Sequence, residues 1–171
     1  MSAPTQPVSQ IAVVAGVGPG LGASLVRRFA REGCRVAMLA RSADYLGRLA
    51  DEINATHNSG TALALPCDLA DASQIEEAFG RVREELGPVD LLVNHASAGG
   101  PSGGALLGLK PEDFERAWRV GVYGALLCSR EAAKDMLAAN RQGGAILFTG
   151  ATSSVRGAEI AFSSAKFGLR G

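Results

Sequence analysis

Short apolar runs with β-branched content take turns along this chain with stretches in which apolar residues recur at helical spacing. The runs fall at 11–15, 36–40, 61–65, 91–94 and 145–149 and predict five strands. Leu21, Leu25 and Phe29 share one face of a first helix that ends at Gly33, a suitable C′ glycine. A second starts near Ser42, which can cap it, and runs through Leu46, Leu49 and Ile53. The third is the clearest, with Ile75, Phe79, Val82 and Leu86 behind a capping-box pair, Ser73 and Glu76. Its remaining positions are charged and read as a solvated face. The fourth opens at Pro111, with Glu112 and Asp113 complementing the helix dipole, and is expected to continue to about Ala139. Gly121 and Gly124 each weaken its interior by about 1 kcal/mol relative to alanine, which predicts close packing there. Strand and helix in regular alternation imply a parallel sheet with helices on both faces.

Composition narrows the classes. The 171 residues, 47% hydrophobic and 20% charged, suffice for one core and one domain at 11–171, preceded by a loose polar tail at 1–10 with two prolines. Seventeen basic side chains balance seventeen acidic ones without a basic cluster, which argues against nucleic acid as a partner. Cys34, Cys67 and Cys128 are widely separated, and His57 and His95 are the only histidines, so neither a metal site nor a disulfide framework is expected. No stretch approaches the roughly 18 apolar residues of a membrane helix, and the tail lacks the features of a signal peptide. The expectation is a cytoplasmic protein with no membrane partner.

The most informative segment is Val13-Val14-Ala15-Gly16-Val17-Gly18-Pro19-Gly20-Leu21-Gly22, a strand that breaks into glycines and passes at once into a helix. A flexible turn would account for it, and so would a phosphate cradle: glycine lets the backbone approach a pyrophosphate, and the helix start offers unpaired N–H groups. The spacing is G-x-x-x-G-x-G over Gly16, Gly20 and Gly22, with Gly18 and Leu21 inside the same loop. A dinucleotide site of the doubly wound kind places an acidic residue at the end of the second strand to hold the adenosine ribose. Here that strand ends in Ala40-Arg41-Ser42. A guanidinium pairs with a 2′-phosphate that a carboxylate would repel, and Ser42 can add a bond, so NADP(H) is expected over NAD(H). As a plain surface residue, Arg41 would need no ligand.

Gly16-x-x-x-Gly20-x-Gly22, Cys67-Asp68-Leu69, the segment Asp90-Leu91-Leu92-Val93-Asn94-His95-Ala96-Ser97 and the late Lys166 together resemble the short-chain dehydrogenase/reductase family from Ile11 onward. That resemblance implies a Rossmann-like fold and an NAD(P)-dependent oxidoreductase acting on a small carbonyl or alcohol substrate, often as a homo-oligomer. It also implies that Asp68 touches the adenine with Leu69 beside it, that Asn94 braces the central strands, that Ala96 lies by the coenzyme ribose, and that Lys166 holds the nicotinamide ribose. Ser97 replaces the usual glycine.

At the catalytic positions the chain departs from that pattern. Family members place a tyrosine before the lysine to move the substrate proton; counting four back from Lys166 reaches Phe162. The serine position falls on Ala151 by strand alignment, or on Thr149 counting thirteen back from Phe162, with Thr152 and Ser153 nearby. Gly121 stands where the family has asparagine. His95 is the nearby side chain suited to proton transfer at neutral pH, although a loop histidine is more often structural. Ser163 is an unactivated hydroxyl, and Tyr123 is expected to point away. The chain stops at Phe167-Gly168-Leu169-Arg170-Gly171, which reads as a C-terminally truncated fold: a fragment, or a shortened product that exposes apolar sheet. Two functions stay open, an oxidoreductase with an altered proton donor and a catalytically inactive NADP(H)-binding module serving as sensor or subunit.

Overall fold

The computed structural model describes residues 9–58, 60–98, 106–138, 143–157 and 159–170. Most of the expected tail, the centre of the glycine-rich loop after Asn94, and Ala139 lie outside them.

Five strands, β1 (Ile11–Ala15), β2 (Arg35–Ala40), β3 (Ala62–Pro66), β4 (Leu91–Asn94) and β5 (Ala145–Phe148), form one parallel sheet in the order β3-β2-β1-β4-β5. All five residues of β1 are buried, as a central strand covered on both faces requires. Alternate side chains go to opposite cores. Ala12, Val14, Val36 and Met38 meet α1 (Leu21–Arg31) and α2 (Ala43–Thr56) through Val26, Leu46 and Ile53. Val13, Ala15, Leu39 and Leu92 meet α3 (Ala72–Glu85) and α5 (Gly124–Met136) through Ile75, Phe79, Val82, Cys128 and Ala132.

The C-terminus of α1 follows the glycine rule closely. Gly33 has φ +85°, and the Cys34 and Gly33 amides donate to the Phe29 and Ala30 carbonyls, which closes the helix as a Schellman motif. Three expectations need correction. The cap of α3 is Asp71, whose Oδ1 accepts from the Ser73 and Gln74 amides at 2.9 and 3.3 Å; Ser73 and Glu76 lie inside the helix. A carboxylate there both caps and complements the dipole, so the helix starts earlier than the Ser73 signal. Ser42 occupies the N-cap position of α2, but its hydroxyl makes no capping bond.

The expected fourth helix is three pieces: α4 (Pro111–Trp118), a π-helical turn (Arg119–Tyr123) and α5, which ends at Met136. The two glycines differ in cause. A Cβ on Gly124 would lie 2.3 Å from the Leu69 carbonyl oxygen, whereas one on Gly121 would meet Ala165 Cβ at 3.4 Å, an ordinary contact. Only Gly124 is imposed by close packing. The last helix, α6 (Ile160–Gly168), packs on α4 through Ala117, Ala161 and Ala165.

Candidate coenzyme cleft

The sheet order reverses between β1 and β4, and the carboxyl ends of adjoining strands there open a crevice. The backbone fastens its rim strand by strand. The Gly16 and Val17 amides donate to the Leu39 carbonyl, those of His95 and Ala96 to Ala15, Cys67 to Ala40 and Thr149 to Asn94. A cleft of about 290 Å³ results, lined by Gly16 and Gly18 after β1, Arg41 after β2, Asp68 and Leu69 after β3, and His95 and Ala96 after β4.

Within the glycine loop the structure separates two roles. Gly16 has φ +105°, and a Cβ on it would lie 2.4 Å from the Ala96 nitrogen; a Cβ on Gly22 would lie 2.8 Å from the Gly16 oxygen. Packing alone accounts for these two. Gly18 and Gly20 have nothing within 4 Å of a Cβ, so their bareness leaves the space before α1 open rather than relieving a clash inside the chain. Gly20 is the N-cap and supplies no capping side chain. The Ala23 and Ser24 amides bond the Gly18 and Gly20 carbonyls, which leaves those of Leu21 and Gly22 without a partner among the described residues, as expected of a helix start. Open backbone, unpaired helix-start amides and no acid in the first turn fit a pyrophosphate.

Directly after β2, Arg41 is exposed, lines the cleft, and its guanidinium makes no hydrogen bond or ion pair among the described residues. Asp68 Oδ1 accepts the Ala70 amide at 3.0 Å, and its amide donates to Gln74 Oε1 at 2.9 Å, so the carboxylate is held in place. Ser42, exposed beside Arg41, is not among the cleft's lining residues.

Behind the cleft, Asn94 is 4% exposed. Its Nδ2 donates to Ser129 Oγ on α5 at 3.1 Å and its Oδ1 has no partner, so the side chain ties β4 to a helix rather than to another strand. Lys166, 5% exposed on α6, donates from Nζ to the Thr149 carbonyl at 2.8 Å. The same threonine offers Oγ1 to His95 Nδ1 at 3.1 Å. Burial holds the Lys166 ammonium below its usual range, and burial together with the Lys166 charge lowers the His95 imidazole, which favours the neutral ring. Cys67, on the cleft floor, is pushed up to about 11 by burial and stays a thiol.

Phe162 sits one turn before Lys166 with its ring centroid 5.7 Å from Nζ. Ala151 is exposed and donates its amide to Ser154 Oγ, outside the cleft lining. Gly121 lies in the π-turn, and Tyr123 is exposed. No group of histidine, cysteine or carboxylate side chains able to hold a metal occurs among the described residues, and none of their helices is long and apolar enough to cross a membrane. Two lining residues without a role in the sequence reading are Arg116 of α4 and Val120 of the π-turn after it. Their spacing of one helical turn puts them on one face, a signal visible in principle but pointing nowhere until the sheet order is known.

Sorbitol-6-phosphate 2-dehydrogenase of Escherichia coli K12 is 33% identical over 162 residues, covering 94% of this chain and 62% of that enzyme. The chain likewise spans between half and two thirds of the length of several other curated relatives. Among solved structures, a metagenomic short-chain oxidoreductase in complex with NADP superposes with a TM-score of 0.84 at 32% identity, over 95% of this chain and 73% of that one. The 3-ketoacyl-(acyl-carrier-protein) reductase of Brucella melitensis, complexed with NADH, gives 0.84 at 28% identity, over 94% and 65%. The short chain dehydrogenase family model matches residues 10–171. With this sheet, this glycine loop and that match, the chain belongs to the short-chain dehydrogenase family.

Proposed function

We propose that the cleft binds a nicotinamide dinucleotide with preference for the 2′-phosphorylated form, and that the protein is an oxidoreductase of a carbonyl or alcohol in which no tyrosine handles the proton. The observation that carries the first part is the pairing of an open glycine floor at Gly18 and Gly20 with an unpartnered Arg41 where a ribose-binding carboxylate would exclude phosphate. Relatives solved with NADP and with NADH support the coenzyme class. In this reading Gly16, Gly18, Gly20, Leu21 and Gly22 surround the pyrophosphate, Arg41 and Ser42 take the 2′-phosphate, Asp68 and Leu69 hold the adenine, and Ala96 and Lys166 adjoin the riboses. Asn94 supports them from behind.

When bound, a reduced coenzyme supplies the hydride, which adds to a carbonyl carbon while the oxygen takes a proton. The chain's own part is to orient the partners and to deliver that proton. His95 is the imidazole on the cleft, it feels the Lys166 charge, and Thr149 holds its Nδ1, so we assign proton transfer to His95, directly or through a water, the neutral ring first taking a proton from solvent and then passing it on. Lys166 acts by charge and by bracing Thr149. Phe162 and the exposed Ala151 favour a second reading, a catalytically inactive NADP(H)-binding module used as sensor or subunit, because a phenyl ring and a methyl group transfer no proton.

One preparation of the intact protein separates the readings: NADPH binding by fluorescence, and NADPH oxidation over a panel of ketones and aldehydes. Turnover supports the enzyme, binding without turnover supports the module, and neither overturns both. For the phosphate role, Arg41→Asp should weaken NADPH by about ten- to a hundred-fold and NADH far less, since bonds to a charged partner contribute roughly 1.5–3 kcal/mol. Equal losses contradict it.

A further inference from the structure

Arg116 and Asp68 line the same cleft with opposite charges and do not pair: the Arg116 guanidinium makes no ion pair or hydrogen bond among the described residues. Asp68 uses Oδ1 on the Ala70 amide, and its Oδ2 has no described partner. Leu69 and Val120 line the same cleft and give it apolar walls, Val120 coming from the π-turn that follows the helix carrying Arg116. A slot with apolar walls, a carboxylate able to accept from an amino group, and a planar cation at the rim suits an aminopurine, whose edge donates and whose face attracts a guanidinium.

We infer that Arg116 covers the adenine ring, its guanidinium stacked on the base face, while Arg41 at the end of β2 deals with the phosphate. The inference rests on the coenzyme reading above and adds a division of labour between two arginines. Arg41 sets discrimination between phosphorylated and unphosphorylated adenosine. Arg116 sets affinity for the base and is indifferent to the phosphate.

The test is calorimetric titration of the intact protein and its variants with adenosine 5′-monophosphate and adenosine 2′,5′-bisphosphate, ligands without nicotinamide. Arg116 is exposed and unpaired, so Arg116→Ala should leave thermal unfolding unchanged, which is checked alongside. The variant should lose about three- to thirty-fold in affinity, by the same factor for both ligands. Arg116→Lys keeps the charge without the planar face and should lose nearly as much. Arg41→Ala should lose affinity for the bisphosphate alone. The inference is overturned if Arg116→Ala binds both ligands as before, if its loss is confined to the bisphosphate, or if Arg116→Lys binds as tightly as the unaltered chain. Should the unaltered chain bind neither ligand, the coenzyme reading falls and this inference with it.

Discussion

Lys166, Thr149 and His95 form a short chain of contacts that reaches the cleft at His95, and Phe162 packs against its buried end. The ammonium bonds the Thr149 carbonyl, the threonine hydroxyl meets His95 Nδ1, and the Phe162 ring lies beside the cation. Phe162→Tyr therefore restores a hydroxyl beside a buried ammonium that lowers its pKa. Steady-state reduction of the best carbonyl substrate should rise by about a hundred-fold, the lower end of general acid catalysis; an unchanged rate would show that residue 162 is not the deficit.

His95 makes a second prediction. Its folded pKa lies below the ordinary 6.5, so as pH falls below that value the unfolded chain takes up a proton that the folded chain resists. Stability that is present above pH 6.5 should decline below it. Urea midpoints at pH 7.5 and 5.0 should converge in His95→Gln relative to the unaltered protein, and identical pH dependences would refute the half-buried neutral ring. The sequence identified His95 and Lys166 as residues to watch. It could not reveal Thr149 as their common partner, because 54 positions separate His95 from Thr149 and only the β4–β5 pairing joins them.

Among the elements, the loop between β1 and α1 carries the strongest argument, since its glycines differ in why they are glycine. Gly16→Ala places a methyl group against the Ala96 backbone at positive φ, and denaturant unfolding should register a loss of about 3 kcal/mol or more. Gly18→Ala meets nothing within 4 Å, so stability should change by less than about 0.5 kcal/mol while NADPH affinity falls at least tenfold. If Gly18→Ala binds as tightly as the unaltered protein, the loop is a turn and not a cradle. Periodicity in the sequence placed β1 and β4 to the residue and found α2 and α3 with the stripes they bury, whereas in α1 the expected face of Leu21, Leu25 and Phe29 is exposed or half-buried and the helix packs through Gly22, Ala23, Val26 and Ala30. It could not find the π-turn at Arg119–Tyr123, because one wider turn leaves no mark in the order of apolar residues, nor the Asp71 cap, which a plausible Ser73 signal hid.

For the molecule as a whole, alternation of strand and helix predicted the parallel sheet, and the glycine loop predicted which end would hold the cleft. The reversal of strand order then brings four loops to one place, adding Arg116 and Val120 from a helix that no local pattern connects to them. At the other edge, β5 leaves Leu147 and Phe148 50% and 47% exposed, an apolar border consistent with a chain that spans only part of its relatives' length. The account turns on the cleft at the reversal point. Calorimetric titration of the intact, folded protein with NADPH and with NADH tests it most directly: saturable heat for both, with NADPH at least tenfold tighter, is the predicted result, and no heat from either coenzyme would contradict it.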